Sequence, residues 1–456
     1  MAGIGFELRK LLKNRSYAGL LQAYAYAGII SSGPWVLSIL GILLIGILSI
    51  GIVVPHHLIT EFQVTVTYIV AGSLVLTGLA QLAFTRFIAD RLFEKRDDWV
   101  LPNFNGMLLV TAVVSGGIGM LAVVYLFPQQ SVLYRLLVLS AFVIMSATWI
   151  TTVFLSGMKK YKQIVVLFFI GYVVVVSMAL LLRPLGMEGL LIGFVAGHYL
   201  LLMGMIVLTY RSYTSSRLIS FELFRPGAMY MSLAATGLFY NAGIWADKFM
   251  FWFNPDTSQH VIGPLRGSVI YDFPIFLAYL SIIPGMAVFL VRIETDFVEY
   301  YDEFYNYVRE GAPLNTIERT RNNLVFSARQ GLFDIAKIQT ITVLTIFALG
   351  SALLSWLGMS QLYLPLLYID VIAAGLQVVL LGVLNILFYL DRRRIVVGLT
   401  GMFLATNILL TWLSMQLGAA YYGYGFAVSL LLTVVTGLFV LNRRLDALEY
   451  ETFMLQ

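Results

Sequence analysis

The side chains best suited to do chemistry in this sequence are charged and amide groups inside long apolar segments. Residues 227–253 are apolar and long enough to cross a bilayer, yet they include Asn241, Asp247 and Lys248. A charge at membrane depth costs at least about 2.5 kcal/mol, so it normally faces a polar cavity or a partner group. This pattern indicates that the segment forms one wall of a substrate pathway.

Two more acids occur near the starts of later apolar segments. Asp272 follows Tyr271 at the beginning of one segment, and Asp370 stands near the beginning of another. We predict that these residues line the outer part of the same pathway as Asn241 and Asp247. Carboxylates and amides placed there could bind a cationic or hydroxyl-rich substrate.

Basic side chains near the predicted outer face are candidates for gating ion pairs. Arg135 begins one apolar segment, and Arg183 ends the next. Pairing with acids of the other half would close an outer mouth, and separation would open it. Pairing within one half, or a place among lipid headgroups, is the alternative. Lys248 lies about 100° around the helix from Asp247, so we expect it to point away from that acid and extend towards the headgroups.

Prolines and glycines inside apolar segments predict helix breaks. Gly33 and Pro34 interrupt the first segment, while Pro274 and Pro284 interrupt the eighth, where Gly285 follows directly. A proline removes a backbone hydrogen bond and kinks a helix, and membrane carriers use such breaks as hinges. We therefore expect bends at these places.

Several kinds of chemistry are disfavoured. The chain has no cysteine and four histidines, which argues against disulfides, thiol nucleophiles and a metal site. No phosphate-binding G-x-x-x-x-G-K-[ST] motif occurs, and no set of serine, histidine and acid indicates catalysis. His198, inside an apolar segment, is interpreted as a packing or cavity residue rather than a base. We expect a protein that is not an enzyme and needs no cofactor.

The composition predicts an all-α polytopic membrane protein. Of 456 residues, 60% are hydrophobic and 12% are charged, which is more apolar surface than a soluble protein can bury. A helix needs about 20 residues to cross the hydrocarbon, and twelve segments are predicted to do so. They are residues 20–54, 64–88, 106–127, 132–156, 164–182, 187–210, 227–253, 268–291, 338–357, 366–390, 395–417 and 421–441.

The order of the segments predicts two lobes of six transmembrane helices, with further elements outside the membrane. They are an interfacial amphipathic helix (1–19), an N-lobe (20–210), a cytoplasmic linker (211–226), a C-lobe (227–441) with a cytoplasmic helical insert (292–337), and a cytoplasmic tail (442–456). A short repeat favours two lobes, because the spacing of Gly186 and Gly193 recurs as Gly418 and Gly425. Matches this short also arise by chance, so the repeat is left open.

The distribution of basic residues predicts that both termini are cytoplasmic. With a cytoplasmic N-terminus, the lysines and arginines fall on cytoplasmic segments except for Arg135, Arg183, Lys248 and Arg266. This is the distribution that the positive-inside rule describes. The net charge of +5 is thus explained by topology, and we expect a lipid bilayer but no nucleic acid as a partner.

The insert is predicted to form two amphipathic helices. In the first, Tyr300, Tyr301, Phe304 and Tyr307 recur at helical spacing among acidic residues. Their apolar face must be covered, either by the protein's own loops and the headgroups or by a cytoplasmic partner. The tyrosines slightly favour a partner, because aromatic residues are enriched at protein interfaces.

Several stretches resemble a known family. Twelve spans in two halves resemble the multidrug/oligosaccharidyl-lipid/polysaccharide (MOP) exporter superfamily. Its PelG family, inner-membrane transporters of the Pel exopolysaccharide machinery, is similar in four further features. These are the opening MAGIGFELRKLL, SSGPW (31–35), IWADKFMFW (244–252) and the acidic, tyrosine-rich insert.

The resemblance covers the whole chain and implies a function. It implies export of a polymer rich in N-acetylated and partly deacetylated aminosugars across a bacterial inner membrane. It also implies a cytoplasmic glycosyltransferase and small inner-membrane subunits as partners, one of them a sensor of cyclic di-GMP. A lipid-linked oligosaccharide or drug flippase acting alone is the alternative. A membrane transferase is a third hypothesis, but the sequence shows no catalytic set for it.

Overall fold

The computed structural model describes residues 17–158 and 160–454, which are mostly helical. The predicted interfacial helix over residues 1–19 lies outside these residues, apart from its last three positions. The helices are α1 (Tyr17–Ser49), α2 (His57–Phe93), α3 (Val100–Leu126), α4 (Val132–Gly157), α5 (Tyr161–Leu182), α6 (Met187–Ser212), α7 (Met231–Phe253), α8 (Val269–Leu280), α9 (Ile283–Val291), α10 (Val298–Glu310), α11 (Leu314–Trp356), α12 (Leu364–Tyr389), α13 (Arg393–Leu417), α14 (Tyr424–Asp446) and α15 (Leu448–Met454).

Most of these helices are long and apolar enough to cross a membrane. Ten helical segments of the described chain meet that condition, and α1 adds an eleventh when its two bent halves are taken as one span. The 23 residues of α7 are long enough, but Asn241, Asp247 and Lys248 lower its hydropathy. The all-α polytopic membrane fold is therefore confirmed, while the total of twelve spans and the cytoplasmic termini stay predictions.

The chain forms two compact units whose limits differ from the predicted lobes. The first unit contains residues up to Ser32 and residues from Ile270 onward, and the second unit contains Gly33–Val269. α7 therefore belongs to the second unit, although span order had placed it with the C-terminal helices. The chain passes between the units beside Pro34, and again at the first residue of α8.

A glycine contact explains why α7 packs within the second unit. A Cβ at Gly78 on α2 would lie 2.7 Å from the Gly237 carbonyl oxygen on α7, and a Cβ at Gly237 would collide with the Gly78 carbonyl in turn. The two backbones touch here, and such close approach between membrane helices requires residues without side chains. Span order along the chain does not reveal this pairing.

The predicted linker over residues 211–226 is docked on α3. The Ser220 backbone N–H donates to the Pro102 carbonyl (2.9 Å), and the Asn105 side chain donates to the Leu218 carbonyl (2.8 Å). Leu223 is buried. The segment is thus fixed to the second unit, and the chain does not change units there.

A small hairpin joins α7 to the first unit's α8 and packs on α2. Strands β1 (Gln259–Ile262) and β2 (Leu265–Gly267) pair antiparallel, with His260 opposite Arg266. The Tyr68 hydroxyl on α2 donates to the Arg266 carbonyl (2.9 Å), and the Arg266 guanidinium donates to the Ser258 hydroxyl (2.8 Å). These bonds hold the hairpin within the second unit.

Both units share a packing pattern that matches the short sequence repeat. Gly193 on α6 lies directly against the backbone of α5, and Gly425 on α14 lies directly against the backbone of α13. Gly186 and Gly418, which precede them, both have positive φ, at 68° and 98°, a conformation that favours glycine. This agreement supports the internal repeat.

The insert continues two membrane helices beyond their apolar segments, on the side that is predicted to be cytoplasmic. α9 continues through a π-helical turn (Arg292–Phe297) into α10. The 43 residues of α11 run unbroken for about 64 Å, roughly twice the ~30 Å hydrocarbon thickness. The predicted second insert helix and the ninth span are therefore one helix, since no proline separates Pro313 from Pro365.

Candidate substrate pathway

Asp247 and Lys248 form a buried ion pair on α7. Lys248 Nζ lies 3.0 Å from Asp247 Oδ2, and their side chains are 2% (Lys248) and 0% (Asp247) exposed. Lys248 Nζ also donates to the Ile244 carbonyl (2.8 Å). The expectation that Lys248 extends towards the headgroups is wrong, because its long side chain folds back to its neighbour's carboxylate. Mutual neutralisation lowers the cost of two charges in apolar surroundings.

Asn241 belongs to the contact between α2 and α7. Its side-chain nitrogen donates to the Gly237 carbonyl (3.0 Å), and a Cβ at Gly78 would lie 2.8 Å from the same nitrogen. Asn241 is half-buried, whereas Asp247 is fully buried. The amide is therefore more accessible than the acid, and a place for either in the pathway stays a prediction.

Asp272 and Asp370 lie in the first unit, near the starts of α8 and α12. Asp370 is fully buried. A Cβ at Gly423, just before α14, would lie 3.0 Å from Asp370 Oδ1. The starts of α12 and α14 are therefore adjacent. Asp272 is half-buried, while Tyr271 is fully buried in the unit. Asp272 is thus the accessible acid of this end, and Tyr271 packs instead of lining an open surface.

The break in the eighth span lies directly before Pro284. α8 ends at Leu280 and α9 begins at Ile283. Gln339 on α11 donates to the Ile282 carbonyl in the break (3.3 Å), and a Cβ at Gly285 would collide with that glutamine side chain. The amide of α11 thus supplies a donor that the broken helix lacks.

The expected break at Pro274 does not occur. α8 runs from Val269 through Pro274 to Leu280 without interruption. Proline at this position removes one hydrogen bond, the one to the carbonyl of residue 270, and membrane helices tolerate such a loss. In α1, by contrast, the helix bends at Pro34, beside Gly33.

The two candidate gating arginines lie in the second unit. Arg183 follows α5 and donates to the Leu48 carbonyl at the end of α1 (2.7 Å). Arg135 lies in the first turn of α4 and is half-buried. Within the part of the chain that the structure describes, neither arginine forms a salt bridge inside its own unit. Their pairing with acids of the other half stays a prediction.

The aromatic residues of α10 mostly pack inside the first unit. Phe304 is fully buried, so the prediction that it contacts a partner is wrong, because this position faces the unit's own core. Tyr301 contacts the ring of Tyr389 on α12, with 5.5 Å between centroids. Tyr300 and Tyr307 are half-buried, and partner contact stays a prediction for them.

Ion pairs attach the C-terminal helix α15 to the insert, to Arg392 before α13 and to Arg444 on α14. The Glu451 carboxylate accepts hydrogen bonds from Arg392 and Arg444, and its side chain is 6% exposed. Arg321 on α11 lies 2.8 Å from Glu449. The C-terminus and the insert therefore lie at the same end of the first unit, as the predicted topology requires.

Three buried polar residues of membrane helices were not singled out from the sequence. Gln339 fills the break in the eighth span, Gln377 lies buried in α12, and Asn407 in α13 accepts a hydrogen bond from Thr411 (2.9 Å). An amide within an apolar segment is the sequence signal that could have identified each of them.

The fold is one that membrane transporters of the MOP superfamily share. The outward-facing and inward-facing structures of a multidrug resistance MATE family transporter of that superfamily each match with a TM-score of 0.61 at 12% identity. A MOP superfamily transporter from Pyrococcus furiosus, with a binding pocket of reverse polarity, matches with a TM-score of 0.59 at 14% identity. Each comparison covers 93% of this chain and 96% of the other.

The sequence itself identifies the family. Residues 1–453 match the PelG family of exopolysaccharide exporters (EPS-E), so the chain belongs to the PelG family. No curated protein matches the chain. Family and fold are those of transporters rather than enzymes, and the helices make this a multi-pass membrane protein.

Proposed function

We propose that this chain exports an aminosugar-rich exopolysaccharide from the cytoplasm to the periplasm across the bacterial inner membrane. Membership of the PelG family supports export of an exopolysaccharide. The charged residues in the membrane segments of the first unit support an aminosugar polymer as the substrate. Over residues 269–291, 338–390 and 395–442, Asp272 and Asp370 are the only charged residues.

Two acids without cations in the membrane segments of the first unit favour a polymer that carries protonated amines. Carboxylates form strong charge-assisted hydrogen bonds with ammonium groups. Asp272 is half-buried and lies in the first turn of α8. Asp370 is fully buried, six residues into α12, or roughly 9 Å along the helix. Asp272 would therefore meet the polymer first, at the predicted outer end of the first unit.

Asp272→Asn, an isosteric neutral change, tests this role. A strain that lacks the gene is complemented with the native chain, with Asp272→Asn, or with Asp256→Asn. Asp256 is an exposed acid before the hairpin and serves as the matched control. At equal membrane levels we expect several-fold less secreted aminosugar polymer with Asp272→Asn and normal secretion with Asp256→Asn. Equal secretion from all three chains would show that export does not require the charge of Asp272.

We also propose that the insert docks the cytoplasmic glycosyltransferase that makes the polymer. Small inner-membrane subunits, one of them a cyclic di-GMP sensor, complete this proposed complex. α15 is joined to both helices of the insert, because Arg321 on α11 pairs with Glu449 and the Tyr305 side chain on α10 forms a hydrogen bond with Thr452. Glu299 and Asp302 are exposed on α10, and this acidic face favours a basic partner surface.

Charge reversal on α10 tests the docking. Glu299→Lys with Asp302→Lys is compared with Glu318→Lys, an exposed acid on α11. We expect the double variant to lose co-purification of the glycosyltransferase and the control to keep it. Undiminished co-purification of the glycosyltransferase would show that the acidic face of α10 is not part of the interface. Transport by the purified chain alone in liposomes would instead favour a flippase that needs no synthase.

A further inference from the structure

Four side chains of α7 form a row along one face of the helix, which we call the α7 row. They are Asn241, Trp245, Phe249 and Phe253. At intervals of four residues, each lies about 6 Å further along the helix and about 40° further around it than the one before. The first three are half-buried, and Phe253 is 58% exposed. The row is therefore accessible, unlike Asp247, which lies about 160° around the helix from Phe249 and is fully buried.

The buried ring of Trp252 holds the aromatic members of the row in place. Trp252 is 1% exposed, and its ring centroid lies 6.1 Å from that of Trp245 and 5.1 Å from that of Phe249. The ring of Tyr68 on α2 lies 4.6 Å from Trp252. Tyr68 also contacts Phe249 and Phe253 edge to face. Contacts within the second unit thus position the rings before any ligand binds, which lowers the entropy cost of binding.

Asn241 indicates that the row faces polar surroundings. Its amide nitrogen donates to the Gly237 carbonyl, but among the described residues nothing donates to its amide oxygen. An amide oxygen without a donor is costly in hydrocarbon, so we expect this face of α7 to lie against water or a ligand. The exposed rings alone do not show this, because aromatic residues are also common where a membrane helix meets the lipid headgroups.

Aromatic faces in polar surroundings suit a sugar that carries a positive charge. The face of an aromatic ring is negative, and it attracts the C–H groups of a pyranose ring and, more strongly, a protonated amine. Indole attracts cations most strongly, and Trp245 is the ring of the row nearest the start of α7, about 21 Å from Met231. The step of about 6 Å between rings is close to the length of one sugar in an extended polymer. Successive sugars therefore fit successive rings.

We propose that Trp245, Phe249 and Phe253 bind protonated aminosugar residues of a polymer through their ring faces. The amide oxygen of Asn241 accepts a hydrogen bond from an ammonium or hydroxyl group of the same polymer. Binding is noncovalent, and each ring contributes weakly, so a polymer held in this way can move along the row. The proposal rests on the proposed export function and deepens it, because it assigns residues of the second unit to the polymer.

Calorimetric titration of the purified chain in lipid nanodiscs tests the α7 row without requiring export. The probes are a glucosamine hexamer, at a pH where its amines are protonated, and maltohexaose, which has pyranose rings but no amines. We expect the native chain to bind the glucosamine hexamer more tightly. Trp245→Leu removes the ring but keeps an apolar side chain, and it should weaken that binding about three- to thirtyfold. Trp245→Phe should keep most of the affinity. Trp412→Leu, at a 54% exposed tryptophan on α13, should keep all of it.

The possible failures of the α7 row and of the export function give different results. Equal affinity of the native chain and Trp245→Leu for the glucosamine hexamer overturns the proposal, and so does an equal loss in Trp412→Leu. Equal binding of the two hexamers by the native chain overturns the assignment to protonated amines. Neither of these results bears on export, which is measured as secreted polymer. A native chain that binds neither hexamer contradicts the aminosugar substrate and the α7 row together. If Trp245→Leu does not fold, Phe249→Leu takes its place, and unchanged binding in that variant overturns the proposal.

Discussion

Lys248 Nζ lies 3.0 Å from the carboxylate of Asp247, its neighbour in the sequence, and both side chains are buried in the second unit. Removing one partner of a buried ion pair leaves an uncompensated charge, which costs about 3–5 kcal/mol. We therefore predict that Asp247→Asn strongly lowers the thermal unfolding midpoint in detergent. The double change Asp247→Asn with Lys248→Met should recover much of that loss. A double variant as unstable as Asp247→Asn would show that the charge pair is not what stabilises α7.

Gly237→Ala should separate α2 from α7. Its new methyl group would collide with the Gly78 carbonyl, and overpacking of this kind costs about 1–3 kcal/mol. Gly117→Ala on α3 is the control, because a Cβ there would meet no atom within 4 Å. We expect a lower unfolding midpoint for Gly237→Ala and an unchanged or higher midpoint for Gly117→Ala. Equal midpoints would contradict a direct backbone contact.

Gln339→Leu should destabilise the break in the eighth span. The change removes the donor to the Ile282 carbonyl, and an unsatisfied buried polar group costs about 1–3 kcal/mol. Amide hydrogen exchange should accelerate in α9, which begins at the break. Thr340→Val, an exposed neighbour on α11, should leave that exchange unchanged. Unaltered exchange in Gln339→Leu would show that the break needs no support from α11.

Glu451→Gln should loosen the C-terminal helix. Both carboxylate oxygens accept from arginines, Arg392 and Arg444, and hydrogen bonds to charged groups contribute about 1.5–3 kcal/mol. Exchange of the α15 amides should therefore rise about tenfold or more. Asp446→Asn breaks an exposed pair with Arg329 and should have little effect, since exposed pairs contribute about 0–1 kcal/mol. Similar exchange in both variants would contradict the attachment through Glu451.

The sequence predicted the helices better than it predicted their partners. Apolar segments located the spans because a bilayer demands long runs of apolar residues. The sequence did not predict that α7 lies beside α2, because Gly78 and Gly237, which form the contact, are far apart in the sequence. The absence of proline from α11 is consistent with one continuous helix, but the change from polar to apolar composition near Lys337 indicates a boundary that the structure does not have.

The sequence predicted which residue types belong to the candidate site better than it predicted where their side chains lie. Acids inside apolar segments identified Asp247, Asp272 and Asp370, since charge there is costly. The conformation of the Lys248 side chain could not be predicted, because a flexible side chain of that length can extend in several directions. The hydrogen-bond partners of Gln339 and His198, the Ile282 carbonyl and the Tyr172 hydroxyl, come from other helices, which span order does not specify.

The most direct test of export is to locate the polymer in cells. Cells that lack this chain, and cells complemented with it, are given labelled N-acetylglucosamine, and polymeric label is measured in the cytoplasm, the periplasm and the medium. If the chain exports the polymer, polymeric label reaches the periplasm and the medium only in complemented cells, at normal membrane levels of the chain. Equal amounts outside the inner membrane with and without the chain would contradict it.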